Sequence, residues 1–139
     1  ASLHTFHNYL QLLARRIYEK IQSKNTSGSV INKIRKYIQE HYMEDISMED
    51  IAGYIGMNKD YLTRLCKQYD NGNTPLSYLL AYRLEQANKL LAAPDFSISE
   101  IAAMTGFNSQ SYFCKVYKSQ FGISPKEYRK KATPSPHRS

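Results

Sequence analysis

The sequence is poor in the residues that make turns, disulfide frameworks and membrane spans. Its 139 residues include six glycines, five prolines, two cysteines and no tryptophan. Cys66 and Cys114 lie inside helical patterns without C-x-x-C spacing, which predicts two reduced thiols in a cytosolic protein. No apolar run approaches membrane-spanning length, so we expect no membrane segment. We also expect no signal peptide, and the helical pattern that opens at Ala1 without a methionine suggests part of a longer protein.

The sequence also lacks the motifs of catalysis and metal binding. It has no nucleophile elbow, no glycine-rich phosphate loop and no pair of carboxylates in a plausible cleft. The four histidines, His4, His7, His41 and His137, have no carboxylate or cysteine neighbours at ligand spacing. We therefore expect no enzyme activity, no catalytic residue, no metal site and no cofactor.

The charge is positive and unevenly distributed. The formal net charge is +7 and the pI is about 9.4. Six bases and one acid, Glu127, lie between Ser109 and Lys131, whereas five acids and no lysine or arginine lie between Glu40 and Asp50. This segregation favours a polyanionic partner.

Helical periodicity covers almost the whole chain, so the predicted fold class is all-α. The opening segment has one apolar seam that predicts an amphipathic helix: Leu3, Phe6, Leu10, Leu13, Ile17 and Ile21. A polar linker is predicted from Ser23 to Ser29. We interpret residues 1–29 as the remnant of an upstream sensor or dimerisation domain, packed on that domain or forming a coiled coil. The body begins near Val30, and the tail, residues 132–139, is predicted to be disordered.

The body repeats itself after fifty residues. The recurring positions are Ile51-Ala52, Gly56, Asn58, Gly72, Pro75 and Tyr78, matched by Ile101-Ala102, Gly106, Asn108, Gly122, Pro125 and Tyr128. Each copy contains a short apolar helix, a glycine turn, a second helix with basic residues and G-x-x-P-x-x-Y. The second copy has one extra residue at its turn, which the first copy recovers before Gly72. This order is that of a helix-turn-helix DNA-binding unit.

Each part of a helix-turn-helix unit has a counterpart in both copies. Small residues at the helix crossing are Ala52 and Ala102, and turn residues tolerant of positive φ are Gly56 and Gly106. The predicted cores are Ile51, Ile55, Met57, Leu62 and Leu65, and Ile101, Phe107, Phe113 and Val116. Asn58 is the expected N-cap of the first recognition helix, and Asn108 or Ser109 that of the second. The predicted first unit spans about 47–70, the central helix about 75–92 and the second unit about 98–121.

With these cores buried, each recognition helix presents a polar outward face. The predicted faces are Lys59, Asp60, Thr63, Arg64 and Lys67, and Gln110, Ser111, Cys114, Lys115 and Lys118. Arg64 can donate two hydrogen bonds to guanine O6 and N7, and Gln110 can form two with adenine N6 and N7. The distal Lys67 and Lys118 would lie near phosphates and add salt-dependent affinity.

Residues from about 30 to 131 resemble the C-terminal DNA-binding domain of the AraC/XylS family of bacterial transcription regulators. The second copy carries the family string S-E-I-A-x-x-x-G-F-x-x-x-S-Y-F-x-x-x-[FY]-K-x-x-x-G-x-[ST]-P-x-x-Y-R, from Ser99 to Arg129. The resemblance implies seven homeodomain-like helices, with two helix-turn-helix units joined by a long central helix. It also implies that both units enter consecutive major grooves, with the recognition helices about 34 Å apart.

The resemblance assigns DNA-contacting slots residue by residue. The base-edge candidates are Asp60, Thr63, Arg64, Asn108, Gln110, Ser111 and Lys115. The phosphate candidates are Lys59, Lys67, Ser109, Lys118 and Arg129. Asp60 can accept a hydrogen bond from cytosine N4 or interact with the helix dipole. Cys66 and Tyr117 occupy slots where the family usually has phenylalanine, so both are expected in the core.

The leading hypothesis is therefore sequence-specific binding of double-stranded DNA by a bacterial transcription regulator, an activator by resemblance. The implied partners are DNA and RNA polymerase, with a small-molecule effector acting only through a missing upstream domain. A homodimer is possible in the full-length protein, and the expected location is the cytoplasm, at the nucleoid. The alternative is a helical protein–protein module whose basic patch is incidental, and an enzyme fragment ranks below both.

Overall fold

The structure is a computed structural model that describes the backbone of residues 2–132 and the side chains of residues 5–18 and 28–132. Of the tail predicted to be disordered, Ala132 is the last residue of the final helix, and residues 133–139 lie outside the described residues. The histidines His4 and His137 lie outside the described side chains.

Residues 2–132 form seven helices and no strand. The helices are α1 (Ser2–His41), α2 (Met48–Ile55), α3 (Lys59–Tyr69), α4 (Pro75–Leu91), α5 (Ile98–Met104), α6 (Gln110–Phe121) and α7 (Pro125–Ala132). Helices α2 and α3 form one helix-turn-helix unit, α5 and α6 form the other, and α4 joins them. The predicted all-α fold with a long central helix is confirmed. None of the described helices is long and apolar enough to cross a bilayer.

The prediction of a polar linker from Ser23 to Ser29 is wrong. Helix α1 continues without a break through these residues and joins the predicted opening helix to the first helix of the body. Serine, asparagine and threonine cost only about 0.5 kcal/mol each relative to alanine in a helix, and one glycine costs about 1 kcal/mol. Because helical segments flank the stretch on both sides, propagation replaces the costly step of nucleation.

The apolar seam of the opening helix lies in solvent over its described residues. Phe6, Leu10, Leu13 and Ile17 are between 42% and 60% exposed. The amphipathic helix is therefore present, as predicted, but its apolar face packs on nothing within the described residues.

Side-chain caps define where the short helices begin. Ser47 and Asp50 form a capping box at the start of α2, with the Asp50 N–H donating to Ser47 Oγ at 3.2 Å. Ser97 and Glu100 form the equivalent box of α5. Pro75 is the first residue of α4, where its missing N–H has no helical partner to lose. The local sequence therefore determines these helix starts.

Two separate hydrophobic cores share α4. The first head, α1 from Val30 together with α2 and α3, buries Val30, Ile31, Ile34, Ile38, Ile51, Ala52, Leu62, Leu65 and Cys66, which Leu79 of α4 joins. The second head, α5 to α7, buries Ile101, Ala102, Phe107, Phe113 and Tyr117 against Leu84, Ala87 and Leu91 of α4. Helix α4 thus connects two small cores rather than lying across one.

Tyr117 fits a core position because its hydroxyl has a hydrogen-bond partner, the half-buried Asn88. Its ring is fully buried, and the hydroxyl donates to Asn88 Oδ1 at 2.6 Å. Burial raises the pKa of Tyr117 to about 12, so the hydroxyl remains a neutral donor at physiological pH. The expectation that Tyr117 and Cys66 are core residues is confirmed, since Cys66 is 3% exposed.

The two turn glycines share a backbone conformation but not their surroundings. Gly56 has a φ of +80° and Gly106 a φ of +88°, a region in which side chains with a Cβ are strained. A Cβ added at Gly56 would meet nothing within 4 Å. A Cβ added at Gly106 would lie 2.3 Å from the carbonyl oxygen of Tyr42 and 2.8 Å from Nε of Arg83. Only Gly106 is needed for close approach as well as for φ.

We expect Gly106→Ala to destabilise the protein more than Gly56→Ala. The left-handed backbone costs alanine about 1–2 kcal/mol at either position, and the clash at Gly106 adds about 1–3 kcal/mol. Urea denaturation followed by circular dichroism measures both free energies of unfolding. Equal losses for the two variants would contradict the close approach at Gly106.

Candidate nucleic-acid interface

Helix α3 is anchored by one face and exposes the other. Its N-cap is Asn58, whose Oδ1 accepts from the N–H groups of Asp60 at 2.9 Å and Tyr61 at 3.3 Å. Leu62, Leu65 and Cys66 are buried in the first head. The predicted outward residues Lys59, Asp60, Arg64 and Lys67 are exposed, and Thr63 is half-buried. The predicted polar face of the first recognition helix is therefore accessible.

Two residues of this face already have intramolecular partners. The Lys59 ammonium lies 2.8 Å from Glu49 Oε1 of α2, and this contact raises the pKa of Lys59 and lowers the pKa of Glu49. Thr63 Oγ1 donates to the carbonyl of Lys59 at 3.0 Å, inside its own helix. Lys59 would have to share or exchange its carboxylate to contact a phosphate.

Helix α6 presents the second polar face. Of the two candidate caps, the structure selects Ser109, whose Oγ accepts from the Tyr112 N–H at 3.1 Å. Asn108 lies exposed in the turn before it. Phe113 and Tyr117 anchor the helix in the second core. The accessible residues are Asn108, Ser109, Gln110, Ser111, Lys115 and Lys118.

The prediction that Cys114 lies on the outward face of α6 is wrong. Its side chain is half-buried and packs against the second core. Burial raises the pKa of its thiol, so the thiol stays protonated. The outward face of α6 is therefore narrower than the sequence pattern indicated.

The extra residue at the turn of the second copy has a structural cause. The second recognition helix is capped one position later in the repeat, at Ser109 rather than at the equivalent of Asn58. The first copy regains the position after α3, where Asn71 and Gly72 both have positive φ, +53° and +81°. Helix α6 instead ends directly at Gly122, with a φ of +80°. Two different turns therefore return the chain to the same G-x-x-P-x-x-Y register.

Arg129, predicted to contact a phosphate, has a different set of partners. Its Nε donates to the carbonyl of Leu91 at 3.2 Å, and its Nη2 donates to that of Ala93 at 3.3 Å. These carbonyls lie at the C-terminal end of α4, where helical carbonyls lack helical donors. Arg129 therefore attaches α7 to the end of α4, and its predicted contact with a DNA phosphate stays a prediction.

Sequence reasoning missed Arg83. It is 8% exposed and lies on α4 among the residues that fill the cores. Its Nε donates to the Tyr42 carbonyl at 2.8 Å, and its Nη2 donates to the Glu44 carbonyl at 2.9 Å. The available signal was its spacing, four residues after Leu79 and four before Ala87, which places a charge on the buried stripe of the helix.

The predicted outward faces of α3 and α6 carry hydrogen-bonding and cationic side chains together with one carboxylate, that of Asp60. Among the described residues, no group of three or more histidines, cysteines or acids is arranged to hold a metal ion. Carboxamide, hydroxyl, guanidinium and ammonium groups are those that contact base edges and phosphates. The accessible chemistry on these two helices is therefore that of a DNA-binding surface.

Comparison with known proteins gives an independent assignment. A family model described as a helix-turn-helix domain matches residues 51–131. The regulatory protein PocR of Salmonella typhimurium is 32% identical over 120 residues, which cover 83% of this chain and 39% of that protein. The transcriptional activator RhaS of an Enterobacter species is 30% identical over 125 residues, covering 90% of this chain and 44% of that protein. The chain thus spans about two fifths of the length of these regulators.

Solved structures agree with the sequence comparison. The C-terminal domain of AraT, a response regulator from Geobacillus stearothermophilus, has a TM-score of 0.71 and 31% identity, covering 79% of this chain and 91% of that one. An AraC-type regulator from Chromobacterium violaceum has a TM-score of 0.69 and 33% identity, covering 80% and 99%. The DNA-binding domain of AdpA, solved with a target DNA, has a TM-score of 0.64 and 28% identity, covering 74% and 88%.

We expect Arg129→Ala to lower the free energy of unfolding by about 1–2 kcal/mol, because two carbonyls at the end of α4 lose a charged donor. Lys130→Ala, which changes the exposed neighbour, is the matched control and should be within about 0.5 kcal/mol of the parent. Urea denaturation measures both. If the two variants are equally stable, the contacts of Arg129 with α4 contribute nothing measurable.

Proposed function

Because this chain belongs to the AraC/XylS family of helix-turn-helix DNA-binding domains, we propose that it binds one double-stranded site through α3 and α6 together. Each helix would enter a major groove, and the two half-sites would lie about one helical turn apart. The domain would thereby direct a transcription regulator to its operator.

The observation that carries this proposal is the pairing of two exposed polar faces on one continuous helix. The polar faces of α3 and α6 are accessible, and both helices begin at side-chain caps. Helix α4 runs unbroken from Pro75 to Leu91 between the heads. A rigid connection of this kind keeps the separation of the two heads constant, which two fixed half-sites require.

We assign base contacts first to Arg64 and Gln110. Arg64 lies at the middle of α3 and Gln110 is the first residue of α6. Both are exposed, and both can form two hydrogen bonds with a single base. Asp60, Thr63, Asn108, Ser111 and Lys115 are the further base-edge candidates. The phosphate candidates are Lys67 and Lys118, with Lys59, Ser109 and Arg129.

The relatives support a proposal about the wider role of the protein. RhaS is a transcriptional activator, and we propose that this chain likewise serves an activator that contacts RNA polymerase. A small-molecule effector would act through a domain outside this sequence, and the intact protein would be a homodimer. Its place would be the bacterial cytoplasm, at the nucleoid.

Selection of bound duplexes from a random DNA library tests the function and yields the site. On the selected site, we expect Arg64→Ala and Gln110→Ala each to lose about 1–3 kcal/mol of binding free energy, with little change on random DNA. The loss arises because each variant removes hydrogen bonds to one base. Fluorescence anisotropy with labelled duplexes measures the affinities.

Lys36→Ala is the control, because Lys36 is an exposed lysine of α1 and belongs to neither recognition helix. It should bind the selected site as the parent does. Equal losses of Arg64→Ala on selected and random DNA would make Arg64 a backbone contact. Failure to enrich any sequence from the library would overturn sequence-specific binding.

Salt dependence separates DNA binding from a protein-docking role. We expect the logarithm of the association constant to fall linearly with the logarithm of salt, by about 0.9 for each phosphate neutralised. Lys67→Gln and Lys118→Gln should each reduce this slope by about 1 and weaken binding to all sequences alike. Titrations between low and moderate salt measure the slope. An affinity that hardly changes with salt would favour the helical protein–protein module instead.

A further inference from the structure

Arg83 lies where the two hydrophobic cores meet on α4. Leu79 belongs to the first core and Leu84 to the second, so Arg83 falls at the boundary between them. Its side chain is 8% exposed. Both heads contribute to its surroundings, and we name Tyr42, Glu44, Arg83, Gly106 and Phe107 the junction.

The guanidinium of Arg83 contacts both heads at once. It donates to the carbonyls of Tyr42, at 2.8 Å, and Glu44, at 2.9 Å, in the segment that follows α1 in the first head. Its central carbon lies 6.0 Å from the ring centroid of Phe107 in the second head, within the range of a cation–π interaction. One side chain from the shared helix therefore bridges the two heads.

The heads also approach each other through backbone at the junction. Gly106 in the turn of the second head lies so close to Tyr42 that an added Cβ would be 2.3 Å from the Tyr42 carbonyl oxygen. The corresponding glycine of the first head, Gly56, has open space around it. The two copies of the repeat therefore differ at this position, because only the glycine of the second copy approaches the other head.

The chemistry of arginine suits a contact that defines an angle. The planar guanidinium holds its N–H donors in fixed directions, so two hydrogen bonds to two carbonyls specify its orientation. The Tyr42 and Glu44 carbonyls follow closely on the last residue of α1, His41, near the negative end of the helix dipole. Burial lowers the pKa of Arg83, and the nearby Asp45 opposes that shift.

We propose that Arg83 is a positioning residue that fixes the angle between the two heads and so sets the half-site spacing that the domain accepts. The proposal rests on the proposed two-headed binding of DNA. Helix α4 keeps the heads apart, and the Arg83 bridge prevents them from turning about it. Arg83 itself need not contact DNA.

Half-site spacing provides a readout that loss of stability alone would not change. The test compares the parent, Arg83→Met and Arg83→Lys on the selected site, on the same site with one base pair inserted between half-sites, and on each half-site alone. For Arg83→Met we expect half-site affinities within about threefold of the parent. We expect about a tenfold loss on the intact site, since loosening lowers the effective concentration of the second head. The penalty for the inserted base pair should shrink relative to that of the parent.

Residual dipolar couplings of the DNA-free protein test the bridge independently of DNA binding. In the parent, couplings from both heads should fit one alignment tensor, and in Arg83→Met they should require two. Arg83→Lys keeps the charge but loses the planar guanidinium donors. Its couplings should fit a single tensor less well than those of the parent and better than those of Arg83→Met. This measurement does not require DNA, so it tests the role of Arg83 even if the chain binds no specific DNA. Failure of the Arg83 proposal can therefore be distinguished from failure of the proposed DNA binding.

Three results would overturn the proposal. One is a parent protein whose heads already need separate tensors. Another is an Arg83→Met variant with the parent's spacing preference and a single tensor. The third is unfolding of both variants, seen by circular dichroism, because Arg83 would then serve the stability of the fold rather than the angle between heads.

Discussion

Helix α4 has to fill two hydrophobic cores with one set of side chains. Leu79 completes the core of the first head, and Leu84, Ala87 and Leu91 complete that of the second. Neither head buries its apolar side chains fully without this helix, so the two cannot separate while both are folded. Seventeen residues of helix span about 25 Å. Apolar packing has no preferred direction, however, so sharing α4 fixes a distance more firmly than an angle.

The features that the sequence predicted are those encoded by nearby residues. The Asn58 cap, the turn glycines Gly56 and Gly106 and the apolar spacing of each helix act over a few positions, and the structure contains all of them. The repeat then predicted the arrangement of both helix-turn-helix units, because equal patterns bury equal faces. The predicted outward faces of α3 and α6 are accessible for the same reason, apart from the half-buried Thr63 and Cys114. Whether those residues contact bases stays a prediction.

The features that the sequence did not predict depend on residues distant in the chain. Arg129 donates to carbonyls 36 and 38 residues earlier, and Arg83 to carbonyls 39 and 41 residues earlier. A basic residue near the end of a basic segment is typical of a phosphate contact. Nothing in the neighbouring sequence distinguishes such a residue from one that attaches its helix to another helix, as Arg129 does. The prediction of a linker at Ser23–Ser29 was wrong for a different reason. The weak preference of these residues against helix was overridden by the helical segments on both sides.

A buried arginine is a poor source of stability, which makes its position informative. Removing a charge from water costs several kcal/mol, and an apolar residue of similar volume would often serve stability as well. What an apolar residue cannot supply is direction, because only hydrogen bonds specify where their partners lie. Arg83 sits at the one boundary where α4 passes from one core to the other, with Gly106 shaped to admit the opposing backbone. Two structurally similar heads thus meet through an asymmetric contact, and an asymmetric contact is what converts a flexible pair into a pair with one fixed arrangement.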